Sequence, residues 1–297
     1  MIMEIYIRMI MIKKINFISV IICSRTKNIT PVLTENIKDT IGCDYELIVI
    51  DNSENHYSIF EAYNLGIEKS KGEYLCFIHD DILFHTIGWG DIVNRIFNDD
   101  EQIGLIGVAG AKSKTKMPSA WWNCEEKQKV INIIQHIPNK VKENWNMGIK
   151  NNLLEEVVAI DGVFMVARKD DKVHFNENLT GFHNYDLNIS FEYIKNGYKI
   201  LVTNEILLEH FSLGTINEAW INSTFKIHSI YKKLLPLLSP QSKINKKLEV
   251  SNAIKFINQC LKFNKYKVAF TVWFQLLILK PISKYHIYFW KRILKIN

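Results

Sequence analysis

The sequence predicts an α/β fold in which a mostly parallel central sheet is flanked by helices. Apolar runs rich in β-branched residues at 17–22, 47–50 and Tyr74–Ile78 are typical of buried strands. Helices are predicted between them, at residues 30–41 and 59–70. This alternation of strands and helices over the first third of the chain is the pattern of a doubly wound parallel sheet.

Turn and capping residues support these boundaries. Thr30 and Pro31 mark a helix start, because proline is favoured in the first helical turn, and Gly72 follows the second helix as a stop signal. Apolar periodicity predicts further helices and strands at residues 89–97, 103–108, 157–166, 186–196, 198–202 and 206–208. The stretch 112–152 is polar, and we interpret it as a long irregular excursion.

The composition is that of an ordinary globular protein, with 297 residues of which 47% are hydrophobic and 23% charged. The five cysteines include no Cys-x-x-Cys pair, which argues against a zinc ribbon or a disulfide framework and favours a reducing cytoplasm. Residues 1–15 are apolar but interrupted by charges, and we interpret them as an N-terminal extension. No apolar run reaches the roughly 18 residues that a membrane span needs.

The charge is unevenly distributed along the chain. The net charge is +6, but from Lys226 onward 15 Lys and Arg residues accompany a single acid, Glu249. We expect residues 215–297 to form a helical, basic C-terminal region. Two interpretations of it stay open: a peripheral contact with an anionic membrane, or a helical cap on the catalytic body. Nucleic acid is not expected as a partner, because no recognised binding motif accompanies the charge.

Polar residues follow three of the predicted strands: Ser24 and Arg25 the first, Asp51 the second, and Asp80 with Asp81 the third. The carboxyl ends of parallel strands meet at one edge of a sheet, where ligands bind. Paired carboxylates there suit a divalent cation that carries a phosphorylated substrate. A strand followed by a helix with an acidic first turn would give the same sequence pattern. No Gly-x-Gly-x-x-Gly follows the first strand, which argues against a dinucleotide site.

Three further features have both a functional and a structural interpretation. The adjacent Trp121 and Trp122 could stack on a sugar ring or could fix their loop to the core. Asp186 begins a predicted helix, either as a reactive carboxylate or as an N-cap. His210 follows a short strand, either as a structural residue or as a third ligand for a Mn²⁺-like ion.

Several blocks of the chain, taken in order, resemble the family-2 glycosyltransferases of the GT-A fold. The blocks lie at residues 18–22, 48–53, 62–66, 72–74, 79–81, 161–165, 175–177, 181–186 and 209–212. The closest resemblance is to the subgroup in which a His-Asp-Asp tripeptide, here His79-Asp80-Asp81, replaces the usual Asp-X-Asp. The resemblance implies a GT-A domain over residues 16–214, with a nucleotide-sugar half at 16–110 and an acceptor half at 111–214.

The resemblance also implies roles for individual residues. The nucleotide-sugar contacts would be Ser24, Arg25, Asp51, Asn64 and Asp80. The ligands for Mn²⁺ or Mg²⁺ would be Asp81 and His210, and the catalytic base would be Asp186. The acceptor contacts would be Trp121, Trp122, His183 and Tyr185. Two positions depart from the family pattern: His79 replaces an acid, and Asn188 stands where a second acid often follows the base.

These residues lead us to expect an inverting glycosyltransferase. It would move a sugar from a nucleotide-diphosphate donor, by default a UDP-sugar, to a glycan or lipid-linked acceptor in bacterial surface polysaccharide synthesis, at the cytoplasmic face of the plasma membrane. One alternative is a non-catalytic nucleotide-sugar-binding subunit of a polysaccharide-assembly complex. Another is a nucleotidyltransferase, although the first strand is followed by Ser24-Arg25 without the glycines of a phosphate loop.

Overall fold

The computed structural model describes residues 17–138, 142–148, 152–240 and 242–295. The predicted N-terminal extension, residues 1–15, lies outside the described residues. Three predicted strands are confirmed as the parallel neighbours β1 (Ile18–Ser24), β2 (Tyr45–Asp51) and β3 (Tyr74–Ile78). Their register places the ends of all three strands at one edge of the sheet, as the sequence predicted.

These strands belong to a seven-stranded sheet that also contains β5 (Ile103–Gly107), β10 (Leu154–Val157), β12 (Phe164–Arg168) and β13 (Lys199–Thr203). The order is β10-β13-β5-β12-β3-β1-β2. The strand β12 runs antiparallel to both β3 and β5, and β10 runs antiparallel to β13, so the other five strands share one direction. The expected α/β class with a mostly parallel central sheet flanked by helices is confirmed.

Helices pack on this sheet, and further helices follow its last strand in the chain. Their bounds are α1 (Pro31–Thr40), α2 (Ile59–Lys69), α3 (Trp89–Asp99), α4 (Tyr185–Lys195), α5 (Glu218–Ile230), α6 (Lys246–Lys262), α7 (Tyr266–Leu279) and α8 (Lys284–Leu294). The predicted start of α1 is confirmed, with Thr30 at the N-cap and Pro31 in the first turn. The helix α2 begins with a capping box between Ser58 and Glu61, which satisfies two backbone donors that a helix start leaves open.

A second sheet occupies much of the stretch that was predicted to be irregular. Its strands are β4 (Ile82–Phe84), β6 (Ala109–Ala111), β8 (Lys129–Gln135), β9 (Glu143–Met147), β11 (Ala159–Ile160) and β14 (Leu208–His210). The prediction for residues 112–152 was therefore wrong over β8 and β9. These two strands form an antiparallel pair in which β8 is buried along most of its length, whereas the residues of β9 are half-buried or exposed.

The C-terminal region contributes to two hydrophobic clusters. Ile227, Tyr231 and Leu235 are buried in the main core, and β15 (Leu237–Leu238) pairs with β7 (Ser113–Lys114). The helices α6, α7 and α8 form a second cluster together with Trp220. Among the described residues, every helix is too short or too polar to cross a membrane.

Candidate active site

Three strands of the second sheet place a histidine cluster beside the end of β3. The strand β14 lies between β4 and β8, and His210 is in register with Ile82 on one side and Gln135 on the other. Because Asp81 directly precedes Ile82, its carboxylate lies beside the His210 ring. His79 follows the end of β3, where its backbone N–H donates to the Val163 carbonyl.

The cluster formed by His79, Asp81 and His210 has the geometry of an ion site. The Nδ1 atom of His79 and the Nε2 atom of His210 are 3.2 Å apart, and each lies 3.7 Å from Oδ1 of Asp81. All three ligand atoms lie within 4.8 Å of one another. Asp81 and His210 are the two ligands predicted from the sequence, and the structure adds His79.

The protonation of His210 is set by Gln135. The Gln135 amide nitrogen donates to the carbonyls of His136, His210 and Ser212, so its oxygen must be the atom that faces Nδ1 of His210, at 3.0 Å. Since that oxygen can only accept, Nδ1 carries the proton and Nε2 keeps its lone pair toward Asp81. Burial lowers the pKa of His210, which favours the same neutral state.

Tyr185 holds the other histidine of the cluster. Its hydroxyl lies 2.5 Å from Nε2 of His79, on the far side of the ring from Asp81. A proton on Nε2 that is donated to Tyr185 leaves Nδ1 free to bind an ion. Two imidazole nitrogens and one carboxylate form a donor set that fits Mn²⁺, so these residues fit the metal that the family resemblance implies.

The nucleotide side of the site is acidic and pairs with one arginine. Nη2 of Arg25 lies 2.7 Å from Oδ1 of Asp80 and 3.9 Å from Oδ2 of Asp81. This pairing with Asp80 raises the pKa of Arg25. Asp51 is exposed at the end of β2, in register with Ser24, and accepts a bond from the Ser53 N–H that lowers its pKa. The structure thus brings Arg25, Asp51, Asp80 and Asp81 to one edge.

Two residues predicted to contact the nucleotide form internal hydrogen bonds. The Asn64 amide bonds to the backbone of Phe175 and to the Glu177 carboxylate, which holds that segment against α2. Ser24 is buried, and its hydroxyl bonds to Thr26 within the turn after β1. The structure gives both residues a structural role, and their contact with a nucleotide stays a prediction.

Asp186 lies in the first turn of α4. The helix begins after Asn184, so the N-cap interpretation of Asp186 was wrong. Burial and the nearby Asp161 carboxylate raise the pKa of Asp186 to about 7, although the Leu187 N–H donates to its Oδ1 at 2.7 Å. A carboxylate with a pKa near neutrality can accept a proton from a substrate and release it again.

The start of α4 is fixed by contacts from α5 and from the sheet. Asn184 has a left-handed backbone (φ 62°), and its amide donates to Ser223 at 3.0 Å and to Thr224 at 3.1 Å. A Cβ atom on Gly162 would lie 2.2 Å from the Tyr185 hydroxyl. Glycine at this position therefore leaves room for the Tyr185 ring.

A cavity of about 510 Å³ connects Asp186 with the histidine cluster. Its polar lining includes His79, Asp161, His183, Tyr185, Asp186 and His210, and its apolar lining includes Trp121, Trp122, Ile131, Ile133, Trp145, Met147, Phe182 and Leu213. All four residues predicted to contact the acceptor line it. Trp121 is buried and donates to Asp161 at 2.8 Å, whereas Trp122 is 39% exposed.

The sequence matches the family described as "Glycosyltransferase like family" over residues 19–233. The chain belongs to this glycosyltransferase family. The match covers the whole main sheet, both sides of the cavity and the helix α5. The sequence matches no curated protein.

Solved structures similar to this glycosyltransferase-family chain are distant from it in sequence. GalNAc-T7 with UDP, GalNAc and Mn²⁺ is 9% identical and matches over 70% of this chain and 45% of its own, with a TM-score of 0.47. S. aureus TarS 1-349 with UDP-GlcNAc is 10% identical over 83% of this chain and 73% of its own, also with a TM-score of 0.47. The match thus spans less than half the length of the GalNAc-T7 chain.

Sequence reasoning missed four contributors to the site. The sequence marks His79 only as a departure from the family pattern and Asp161 only as part of the block at 161–165 that carries the family resemblance. Gln135 and the β8–β9 pair fall in the stretch that was interpreted as irregular. A signal for β8 was present, since its seven residues, Lys-Val-Ile-Asn-Ile-Ile-Gln, include four that are β-branched.

Proposed function

We propose that this chain is an inverting glycosyltransferase that moves a sugar from a nucleotide-diphosphate donor to an acceptor hydroxyl. The observation that carries the proposal is the shared cavity, in which a carboxylate of raised pKa, Asp186, lies together with His79 and His210, whose ring nitrogens form the ion-site cluster with Asp81. Such a pair supplies a proton acceptor and an ion site for a diphosphate within reach of one substrate. The family resemblance makes a UDP-sugar the first donor to test.

The edge of the main sheet that carries Asp51, Asp80 and Asp81, here named the acidic edge, would bind the donor. Asp51 would contact the nucleotide base and Asp80 the ribose, and Arg25, which pairs with Asp80, would exchange this carboxylate partner for a phosphate. His79, Asp81 and His210 would hold Mn²⁺ or Mg²⁺ beside the diphosphate. A bound divalent ion would neutralise the charge that develops on the leaving diphosphate.

Asp186 would act as the base. The acceptor hydroxyl gives its proton to the Asp186 carboxylate as the oxygen attacks the anomeric carbon, and the bond from that carbon to the diphosphate breaks. A single displacement of this kind inverts the configuration at the anomeric carbon. General-base catalysis typically contributes about 10²- to 10⁴-fold to the rate.

Calorimetric titration of UDP, with and without Mn²⁺, tests the donor site. We expect Mn²⁺ to strengthen UDP binding to the wild type, and this gain to be absent in Asp81→Ala. The exposed Asp171→Ala serves as the matched control and should keep the gain. If UDP fails to bind under every condition, dTDP, GDP and CMP are tested next; failure of all four nucleotides to bind would contradict the proposed donor site.

We also propose that the chain works at the cytoplasmic face of the plasma membrane in bacterial surface polysaccharide synthesis, and that its C-terminal helices contact the lipid. On α7, Phe270, Phe274 and Ile278 are exposed at four-residue spacing, and on α8 Ile287 and Trp290 are exposed. The rings of Phe270 and Trp290 are 6.1 Å apart, so the two exposed stripes adjoin. After Glu249 the sequence has nine Lys and Arg residues and no acid. Apolar residues among cations suit an anionic lipid surface.

Co-sedimentation with vesicles tests this contact. Wild type should bind vesicles that contain phosphatidylglycerol better than vesicles of phosphatidylcholine alone, and added salt should weaken the binding. The variant Phe274→Ser with Ile278→Ser should lose most of it, because these side chains are 53% and 68% exposed and their loss leaves the core intact. Val32→Ser, which changes an exposed apolar residue of α1, is the control. Equal binding of all variants would contradict the lipid contact.

A further inference from the structure

The cavity beside Asp186 has one polar side and one apolar side. The apolar side is formed by β8 and β9, whose register pairs Ile131 with Met147 and Ile133 with Trp145. Since side chains alternate along a strand, these four point to the same face of the hairpin, and all four line the cavity. We name this surface, formed by Ile131, Ile133, Trp145 and Met147, the hairpin wall.

The hairpin wall offers no free hydrogen-bonding side chain to a sugar. Three of its four side chains are aliphatic or thioether groups, and Nε1 of Trp145 already donates to Glu143 at 3.1 Å. At the polar end of β8, Gln135 is committed to His210 and to three carbonyls. A sugar hydroxyl buried against this wall would lose its hydrogen bonds to water without a replacement, which is unfavourable.

Apolar character continues from the hairpin wall to the cavity mouth. Leu213 and Trp122 line the cavity, yet they are 40% and 39% exposed. Large apolar side chains that stay partly exposed at a cavity mouth are typical of a site that receives an apolar ligand group. The polar groups of the proposed reaction lie at the other end, around Asp186 and His210. Lys129 of β8 also lines the cavity, and its ammonium group pairs with Glu126 at 2.7 Å.

We propose that the acceptor carries an alkyl or aromatic group next to the hydroxyl that is glycosylated, and that this group binds the hairpin wall. This inference rests on the proposed function, because it assigns a chemical class to the acceptor of that reaction. A glycan linked to an apolar aglycone fits both ends of the cavity. A free, fully hydroxylated oligosaccharide fits only the polar end.

Two glycosides that differ only in the aglycone provide the test: n-octyl β-D-glucoside, kept below its micelle concentration, and methyl β-D-glucoside. Their binding is followed by tryptophan fluorescence, since Trp121, Trp122 and Trp145 line the cavity. We expect the octyl glucoside to bind wild type at least about tenfold more tightly, because each buried methylene group strengthens binding by roughly fourfold. Equal affinities would overturn the inference.

Two variants locate the octyl group. Met147→Gln keeps the length of the side chain but adds an amide, and Leu213→Ser shortens an exposed side chain in a loop, where folding is not at risk. Both should reduce the preference for octyl over methyl by at least about threefold. Leu153→Gln changes an exposed apolar residue that does not line the cavity, and it should leave the preference unchanged. If all three variants keep the wild-type preference, the octyl group binds elsewhere and the inference is wrong.

Failure of this inference can be distinguished from failure of the proposed function. UDP is titrated into the same proteins without any glycoside, and the glycosides are titrated without UDP. UDP binding without an octyl preference would overturn the acceptor class and leave the transferase proposal standing. An octyl preference that depends on Met147 supports the hairpin wall, whatever the donor proves to be.

Discussion

The polar and apolar sides of the cavity are built in different ways. The polar side comes from short segments at the ends of elements: His79 after β3, Asp186 at the start of α4, and His210 at the end of β14. The hairpin wall comes from the pairing of two strands, β8 and β9, in a separate sheet. The difference implies that chemistry and acceptor selection depend on different parts of the chain, so that substitutions can affect one without the other.

Asp186→Asn is the substitution with the largest expected effect. The amide keeps the shape of the side chain but cannot take the acceptor proton, so turnover should fall by about 10²- to 10⁴-fold. The measurement is sugar transfer under saturating donor, with UDP binding followed by calorimetry. Because Asp186 lies apart from the acidic edge, UDP affinity should stay within about twofold of wild type.

Asp171→Asn, on the exposed surface, is the control for this loss. Unchanged turnover in Asp186→Asn would show that Asp186 is not the catalytic base. The proposed difference between a polar side that carries out the reaction and a hairpin wall that selects the acceptor would then lose its main support. A loss of UDP binding together with turnover would instead show that Asp186 also supports the donor site, so that the fall in turnover would not measure the base alone.

The sequence predicted the polar side far better than the hairpin wall. Asp81 follows β3, Asp186 lies in the first turn of α4 and His210 ends β14, and the sequence shows the apolar periodicity of these elements. The parallel order of β1, β2 and β3 fixes which edge the strand ends share. The pairing partner of β8, by contrast, is the segment Glu-Asn-Trp-Asn-Met, which has little strand propensity. It forms a strand because of long-range pairing, and local sequence does not encode that.

The contact between His79 and Tyr185 also could not be predicted from the sequence. Nothing in the spacing of residues 79, 185 and 210 indicates that one hydroxyl orients one imidazole, because the contact joins residues 106 positions apart. The interpretation of Tyr185 as an acceptor contact is compatible with its place in the cavity lining. The structure adds its bond to His79, which gives it a part in orienting the ion site.

Gln135→Leu has the next largest expected effect, since Gln135 is where the strand of the hairpin wall meets the polar side. Without the amide oxygen, His210 is no longer held with its proton on Nδ1. Loss of such a partner typically lowers metal affinity by about 10- to 100-fold. The measurement is titration of Mn²⁺, with the exposed Gln102→Leu as the control. An unchanged Mn²⁺ affinity would show that Gln135 does not orient the ion site.

The smallest expected effect is the change in thermal stability caused by Asp186→Asn. The pKa of its carboxyl is raised to about 7 in the folded protein by burial and by Asp161, whereas an Asp in the unfolded chain titrates near 4. Between roughly pH 4 and pH 7 the folded protein keeps a proton that the unfolded chain has released, so this group's contribution to the free energy of unfolding declines as pH rises through that window. Asn has no such dependence.

Asp186→Asn should therefore melt a few degrees above wild type at pH 8, and the difference should shrink at pH 5. Thermal melting at the two pH values, without added metal and with Asp171→Asn as the control, measures it. A melting difference that is independent of pH would mean that the folded protein does not destabilise the charged form of the Asp186 carboxylate. A variant that is less active and more stable, in contrast, would show that the polar side of the cavity keeps a buried charge at the expense of stability, because the reaction needs a base there.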